Sequence, residues 1–351
     1  MRSRSLPQRV TVTPAFAVMT FLLTAIVGLA VVKWIPYYQK AQVAAHVHSI
    51  GPSILLGSAS QAPTPSFPAA LDYASAYAKA IWKAMVLGLL LGSAVQALLP
   101  RRWIAQALGR RGFSRVLLAG VLSVPGMMCT CCAAPVVAGL RECRAAPGSA
   151  VAFWLGNTVL NPATLIFTGF VLGWQWTSLR LALGGVMVFG LGTLVNRVAR
   201  SEDVLIQQGT LPEIPQEPPS FTRWLHTLGR MSLGLIPEYI VLVLLLGAAR
   251  AWLFPHVGHE VDNSLLWIFA FALAGAVFVI PTAGEVPIVQ GMLALGVGIG
   301  PAAALLVTLP PISAPSVAML WRSLGARTLG LASAGVVLLG VLAGCLAEWL
   351  L

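Results

Sequence analysis

Met127-Met128-Cys129-Thr130-Cys131-Cys132-Ala133-Ala134-Pro135 packs three of the five cysteines into four positions, between Pro125 and Pro135. The stretch lies inside Val116–Leu140, a run without a single charge. An uninterrupted apolar run of this length reads as plain helix. This one carries helix breakers and thiols in its middle, which implies broken backbone at membrane depth. Such backbone is tolerated only where it is buried in protein or lines a cavity. In transporters, interrupted segments of this kind mark the substrate site.

The rest of the 351 residues supports a membrane setting: 58% are hydrophobic and 9% charged, with a mean hydropathy of +0.84. Soluble domains carry roughly 25% charged residues. The formal charge of +11 sits on arginines at the ends of apolar runs, the pattern of topology signals, so no nucleic-acid partner is expected. The cysteines are not spaced as a disulfide framework. No Walker sequence, Gly-x-Ser-x-Gly, His-Glu-x-x-His or Ser/His/Asp constellation is present. The chain is therefore not expected to be an enzyme or to need a cofactor.

Outward from the cysteines, a first span is expected over Ala15–Val32 as an uncleaved segment, followed by a polar loop over Lys33–Tyr77 containing His46 and His48. Span two is Ala80–Leu99. Arg101, Arg102, Arg110, Arg111 and Arg115 then suggest a short basic helix lying on an anionic membrane face. Further spans are expected at Ser149–Trp174, Leu181–Asn196, Met231–Trp252, Gly300–Leu320 and Thr328–Leu350, with a second interrupted run at Leu265–Val289. The proline-rich stretch Arg197–Arg230 reads as a linker. The division is thus residues 1–114 (N-terminal spans, loop and basic helix), 115–196 (first repeat), 197–230 (linker) and 231–351 (second repeat).

A displacement of 152 positions brings the halves into register: Thr130 meets Thr282, Pro135 meets Pro287, Gly139 meets Gly291 and Gly148 meets Gly300. Asn161-Pro162-Ala163-Thr164 meets Ser313-Ala314-Pro315-Ser316, both small, polar and broken by proline. If both interrupted runs enter and leave on one side, 16 of the 22 Lys and Arg fall on the cytoplasmic side. Full crossing would make the split nearly even, so the positive-inside rule favours re-entrant segments. The fold class expected is an all-α polytopic membrane protein: seven full spans and two re-entrant segments, in two repeats of inverted topology.

Cys129-Thr-Cys131-Cys132-Ala-Ala-Pro135-Val-Val-Ala-Gly139-Leu, then Gly148-Ser-Ala150-Val-Ala-Phe153 and the Asn-Pro patch, resemble the predicted-permease family, which includes the trivalent organoarsenical efflux permeases. The likeness covers roughly Arg115–Gly173 and Leu265–Leu324. It implies a multi-pass transporter of the bacterial cytoplasmic membrane, N-terminus inside. Cys132 and the wording of the Gly156–Asn161 patch depart from the family's pattern.

The residues expected to meet a small solute are Cys129, Cys131, Cys132, Asn157, Asn161, Glu285 and Ser313. Thiolates are soft ligands suited to thiophilic metals and metalloids, and three together could wrap a trigonal centre; the bland alternative is that they pack as small apolar groups. Glu285, opposite Ala133 in the repeat, is an ionisable group inside a membrane segment and so a functional candidate by default. It could carry a proton, or simply hold a half-helix N-terminus. The competing reading is a membrane-embedded thiol redox protein using Cys129 and Cys131. Partners expected are lipid and a small solute; assembly into a homo-oligomer is compatible with the sequence.

Overall fold

A computed structural model describes residues 13–55, 63–199, 219–254 and 258–351. Arg2, Arg4, Arg9 and most of the Arg197–Arg230 linker lie outside them. The described chain is helical throughout: α1 Pro14–Val47, α2 Phe67–Ala97, α3 Arg101–Leu108, α4 Phe113–Gly126, α5 Thr130–Glu142, α6 Pro147–Val159, α7 Pro162–Val171, α8 Trp174–Val198, α9 Phe221–Leu253, α10 Leu265–Val277, α11 Glu285–Ala294, α12 Ile299–Thr308 and α13 Ala314–Leu350. Among the described residues, six stretches are long and apolar enough to cross a membrane: α1, α2, α6 with α7, α8, α9 and α13.

Two expected boundaries move. The first helix does not stop at Val32. It continues through a π-helical turn at Ala30–Trp34 to Val47, which brings Lys33 inside at 4% exposure. The expected span Gly300–Leu320 is two helices, because Pro310 and Pro311 leave no donors to continue α12 and Ser313 begins α13 as its N-cap. Helix α13 is itself interrupted at Gly325 (φ 76°, ψ 160°), as the chain is at Gly173 (φ 116°, ψ 156°). Both are positive-φ positions that glycine adopts without strain. They stand 152 residues apart, the displacement seen in the sequence. The starts of α4, α6 and α7 (113, 147, 162) likewise recur at α10, α12 and α13 (265, 299, 314).

Hydrogen bonds fix which ends lie together. At one face, Ala146 N donates to Leu108 O at 2.8 Å, Gly148 N to Asn196 Oδ1 at 2.8 Å and Arg141 Nε to Ser323 O at 3.1 Å. Helices α4 and α5 therefore start and end at this face, with their tip at Met127. At the other face, Gln290 Nε2 donates to His48 O at 3.0 Å, His48 Nδ1 lies 2.7 Å from Phe170 O, and Gly298 N donates to Val261 O at 2.8 Å. Helices α10 and α11 start and end there. Their connecting segment Phe278–Gly284 meets the first tip in the middle.

The first hairpin is seated on α2 through Gly88 and Gly92, a Gly-x-x-x-Gly spacing that lets backbones approach closely. A Cβ at Gly88 would lie 2.1 Å from Cys132 O, and one at Gly92 2.4 Å from Pro135 O. The obstacle is backbone and cannot swing away. Gly88→Leu should therefore cost about 1–3 kcal/mol, the range for overpacking, read as a lowered unfolding midpoint in detergent. Gly291→Ala, with nothing within 4 Å, is the control expected to change little.

Candidate functional site

The hairpin tips enclose a small buried space lined by Met128, Cys129, Thr158, Thr164, Ile280, Pro281, Thr282, Ala283, Glu285 and Pro310, with room for water centres of only about 10 Å³. That is close to the minimum for a single water, so the site is closed in this state. Helix starts at Cys129 and Glu285 line it, and two more lie close by. Cys129 is the N-cap of α5, Asn161 of α7 and Ser313 of α13, while Glu285 opens α11. Each start presents backbone N–H groups and the positive end of a helix dipole.

The expected site residues divide into distinct groups. Cys129 and Cys132 come together, Sγ to Sγ 2.7 Å. Cys131 turns elsewhere, with its Sγ 3.7 Å from Ser313 Oγ. Among the described residues no three His, Cys, Asp or Glu side chains are grouped to hold a metal ion. Cys131 stands apart from the other two thiols in this state, because α5 has already begun at Thr130. On a helical turn positions three apart share a face and positions two apart do not. The same fact re-pairs the redox alternative: Cys129-Thr130-Cys131-Cys132 is a Cys-x-x-Cys at a helix N-terminus, which a reading centred on Cys129 and Cys131 passes over.

Asn157 holds the first tip, its Oδ1 accepting from Met128 N at 2.8 Å. Asn161 Oδ1 accepts from Ala163 N at 3.0 Å and Thr164 N at 3.4 Å, while its buried Nδ2 has no partner. Ser313 joins the two halves, its Oγ lying 3.2 Å from Thr130 Oγ1 and 3.1 Å from Ser316 Oγ. Tyr73 and Tyr77 of α2 donate to the carbonyls of Val279 and Ile280, holding the second tip.

Glu285 is 1% exposed and forms an ion pair with Arg180, NH1 to Oε1 2.7 Å. NH2 of Arg180 donates to Thr164 Oγ1 at 3.1 Å and Thr158 O at 3.3 Å, two residues that line the cavity. Lys33 donates to Thr282 Oγ1 and to Tyr37 Oη, both at 3.1 Å. Sequence reasoning missed Arg180 and Lys33, because it counted them as external loop charges. The available signal was Arg180 standing within an apolar run that holds no acid. A lone cation in one span and a lone carboxylate in another are each expensive in lipid and seek each other.

From the first face a wider vestibule leads inward, lined by Gln96, Glu142, Arg230, Met231, Glu238 and Arg322 among others.

A family profile described as a predicted permease matches residues 4–153 and again 127–349. The chain belongs to the predicted-permease family. A relative in Escherichia coli K12, the UPF0718 protein YraQ, is 52% identical over 328 residues, covering 93% of both chains. A second, UPF0718 protein MJ0584 of Methanocaldococcus jannaschii, is 33% identical over 121 residues, 33% of this chain and 32% of its own length. No solved structure gives a significant match. Family membership and the six long apolar helices make this a multi-pass membrane protein of permease type. The names of the relatives carry no cargo.

Proposed function

We propose that the protein is a secondary transporter that passes a small solute, a thiophilic metalloid, metal or sulfur species, through the centre between its two hairpin tips. The observation that carries this reading is the pair of broken hairpins entering from opposite faces and meeting at a buried group of thiols and charges. Lipid punishes unpaired backbone, so breaking helices at matching positions is costly unless the broken ends hold something. Under this reading residues 67–198 and 219–350 act as inverted-topology repeats, with α1 added at the side. Cys129 faces the cargo, and Cys132 supports it. Asn161 and the Arg180–Glu285 pair form the polar wall. Asn157, Cys131 and Ser313 hold the tips in place. For Glu285 to couple movement to a proton, its pair with Arg180 must open during the cycle.

The first face carries the basic helix α3 together with Arg141, Arg144, Arg197, Arg223, Arg230, Arg322 and Arg327. By the positive-inside rule it is the cytoplasmic face, in the bacterial inner membrane. A reporter inserted at Gly325 should then be cytoplasmic, and one at Gly51 external. The reverse result overturns the orientation.

Flux into proteoliposomes across a panel of trivalent arsenicals, soft metal ions and sulfur oxyanions tests the transporter reading; no flux of any of them counts against it. The Cys129–Cys132 contact supports one alternative, a thiol redox protein in which the two thiols give up two electrons and two protons to a quinone or disulfide acceptor and become a disulfide. Titrating free thiols during turnover separates the two. A carrier keeps its thiol count, whereas a redox protein given its acceptor and no reductant loses two thiols per molecule.

A further inference from the structure

The charges around the closed centre do not balance. Lys33 is 4% exposed, and its ammonium rests on two neutral hydroxyls, Tyr37 Oη and Thr282 Oγ1. Arg180 is 1% exposed. Its Nε makes no hydrogen bond, and its NH1 is taken up by its one carboxylate contact among the described residues, Glu285. Two buried cations thus share a single carboxylate. Buried charge left without a partner costs several kcal/mol, and evolution does not leave such a group for packing alone.

The polar atoms without partners point the same way. Beside the cavity they are donors, Arg180 Nε and Asn161 Nδ2, while Arg180 NH1 and Glu285 Oε1 satisfy each other. The helix starts at Cys129, Asn161 and Glu285 add positive dipole ends, each equivalent to roughly half a charge. Helix N-termini with an adjacent cation form a ready anion site. The π-helical turn Ala30–Trp34 is what carries Lys33, and such turns occur often at functional positions.

We infer that the central site takes a small oxyanion, held by Lys33 and Arg180, with Glu285 occupying the anion's place while the site is empty. This rests on the transporter reading and narrows its cargo from thiophilic species in general to negatively charged ones. Cys129 lies on the same wall and favours an oxyanion with a soft atom, such as thiosulfate, over sulfate. The cavity is too small to admit either as it stands. Binding must therefore part the tips, and the carboxylate that leaves Arg180 makes the room.

The test is binding, measured apart from transport, on the full-length protein purified in detergent. Thiosulfate should raise the unfolding midpoint and sulfate should raise it less. Sodium gluconate, zinc and silver ions should fail to do so through Lys33. Lys33→Gln should abolish the thiosulfate shift and Lys33→Arg should keep it. Glu285→Gln removes the competing anion and should tighten thiosulfate binding at least tenfold, a gain that misfolding cannot mimic. The inference is overturned if gluconate matches thiosulfate, if Lys33→Gln binds thiosulfate as well as the parent, or if Glu285→Gln weakens binding. Flux of a neutral or cationic cargo without oxyanion binding would sink the anion site and leave the transporter standing. Oxyanion binding without flux would do the opposite.

Discussion

Arg180→Met should destabilise the protein by about 3–5 kcal/mol, the cost of removing one partner of a buried ion pair. The guanidinium is enclosed, contacts Glu285 at 2.7 Å, and donates to Thr158 O and Thr164 Oγ1. Its removal leaves a buried carboxylate without its ion-pair partner and two oxygens short of a donor. The double variant Arg180→Met with Glu285→Met should recover most of the loss. A buried pair replaced by apolar side chains of similar size is often neutral or stabilising. Titration with SDS in mixed micelles provides the unfolding free energies for the cycle. A double variant as unstable as Arg180→Met alone would mean that the hydroxyl contacts, not the ion pair, hold α8 to the tips. The recovered double variant should still fail to bind an oxyanion, which separates the pair's structural part from its part in recognition.

Some of this centre could be read from the chain and some could not, for identifiable reasons. Proline acts locally, so Pro162 and Pro315 announce the helix starts of α7 and α13 without any tertiary information, whereas Pro135 sits inside α5 and Pro287 in the first turn of α11. The displacement of 152 that carries Pro135 onto Pro287 gives the repeat. Asn161 and Ser313 stood out as the first residues of two matching, proline-broken polar patches, and the structure makes each an N-cap. The destination of a side chain is not local. Lys33 follows an apolar run and reads as its polar end, yet a helix that continues to Val47 turns it inward onto Thr282, almost 250 residues away. Arg180 was counted with the loops because the span was placed two turns too late, at Leu181 instead of Trp174. The grouping of the thiols hinged on a single residue, the one at which α5 begins. An extended backbone through Cys131 would join Cys129 with Cys131, while a helix from Thr130 joins Cys129 with Cys132.

That one-residue difference sets the largest functional effects. Cys129→Ser should lower flux at least tenfold, because its thiol is the one on the cavity wall and serine is a harder ligand of nearly the same size. Cys129→Ser with Cys131→Ser should abolish flux while expression holds. Cys131→Ser alone should be milder. Its Sγ faces Ser313 and Thr130, where a hydroxyl can join the same hydrogen bonds. Cys345→Ser, at an exposed position, should be neutral. Initial rates in proteoliposomes at matched protein content give the ranking. Full flux in Cys129→Ser would remove the thiol from the cargo's path and leave the cations and helix starts as the recognition surface. A Cys131→Ser loss as deep as that of Cys129→Ser would require Cys131 to rotate toward the cavity when the tips part. The open state would then bring all three thiols to the cargo, an arrangement the closed state keeps apart.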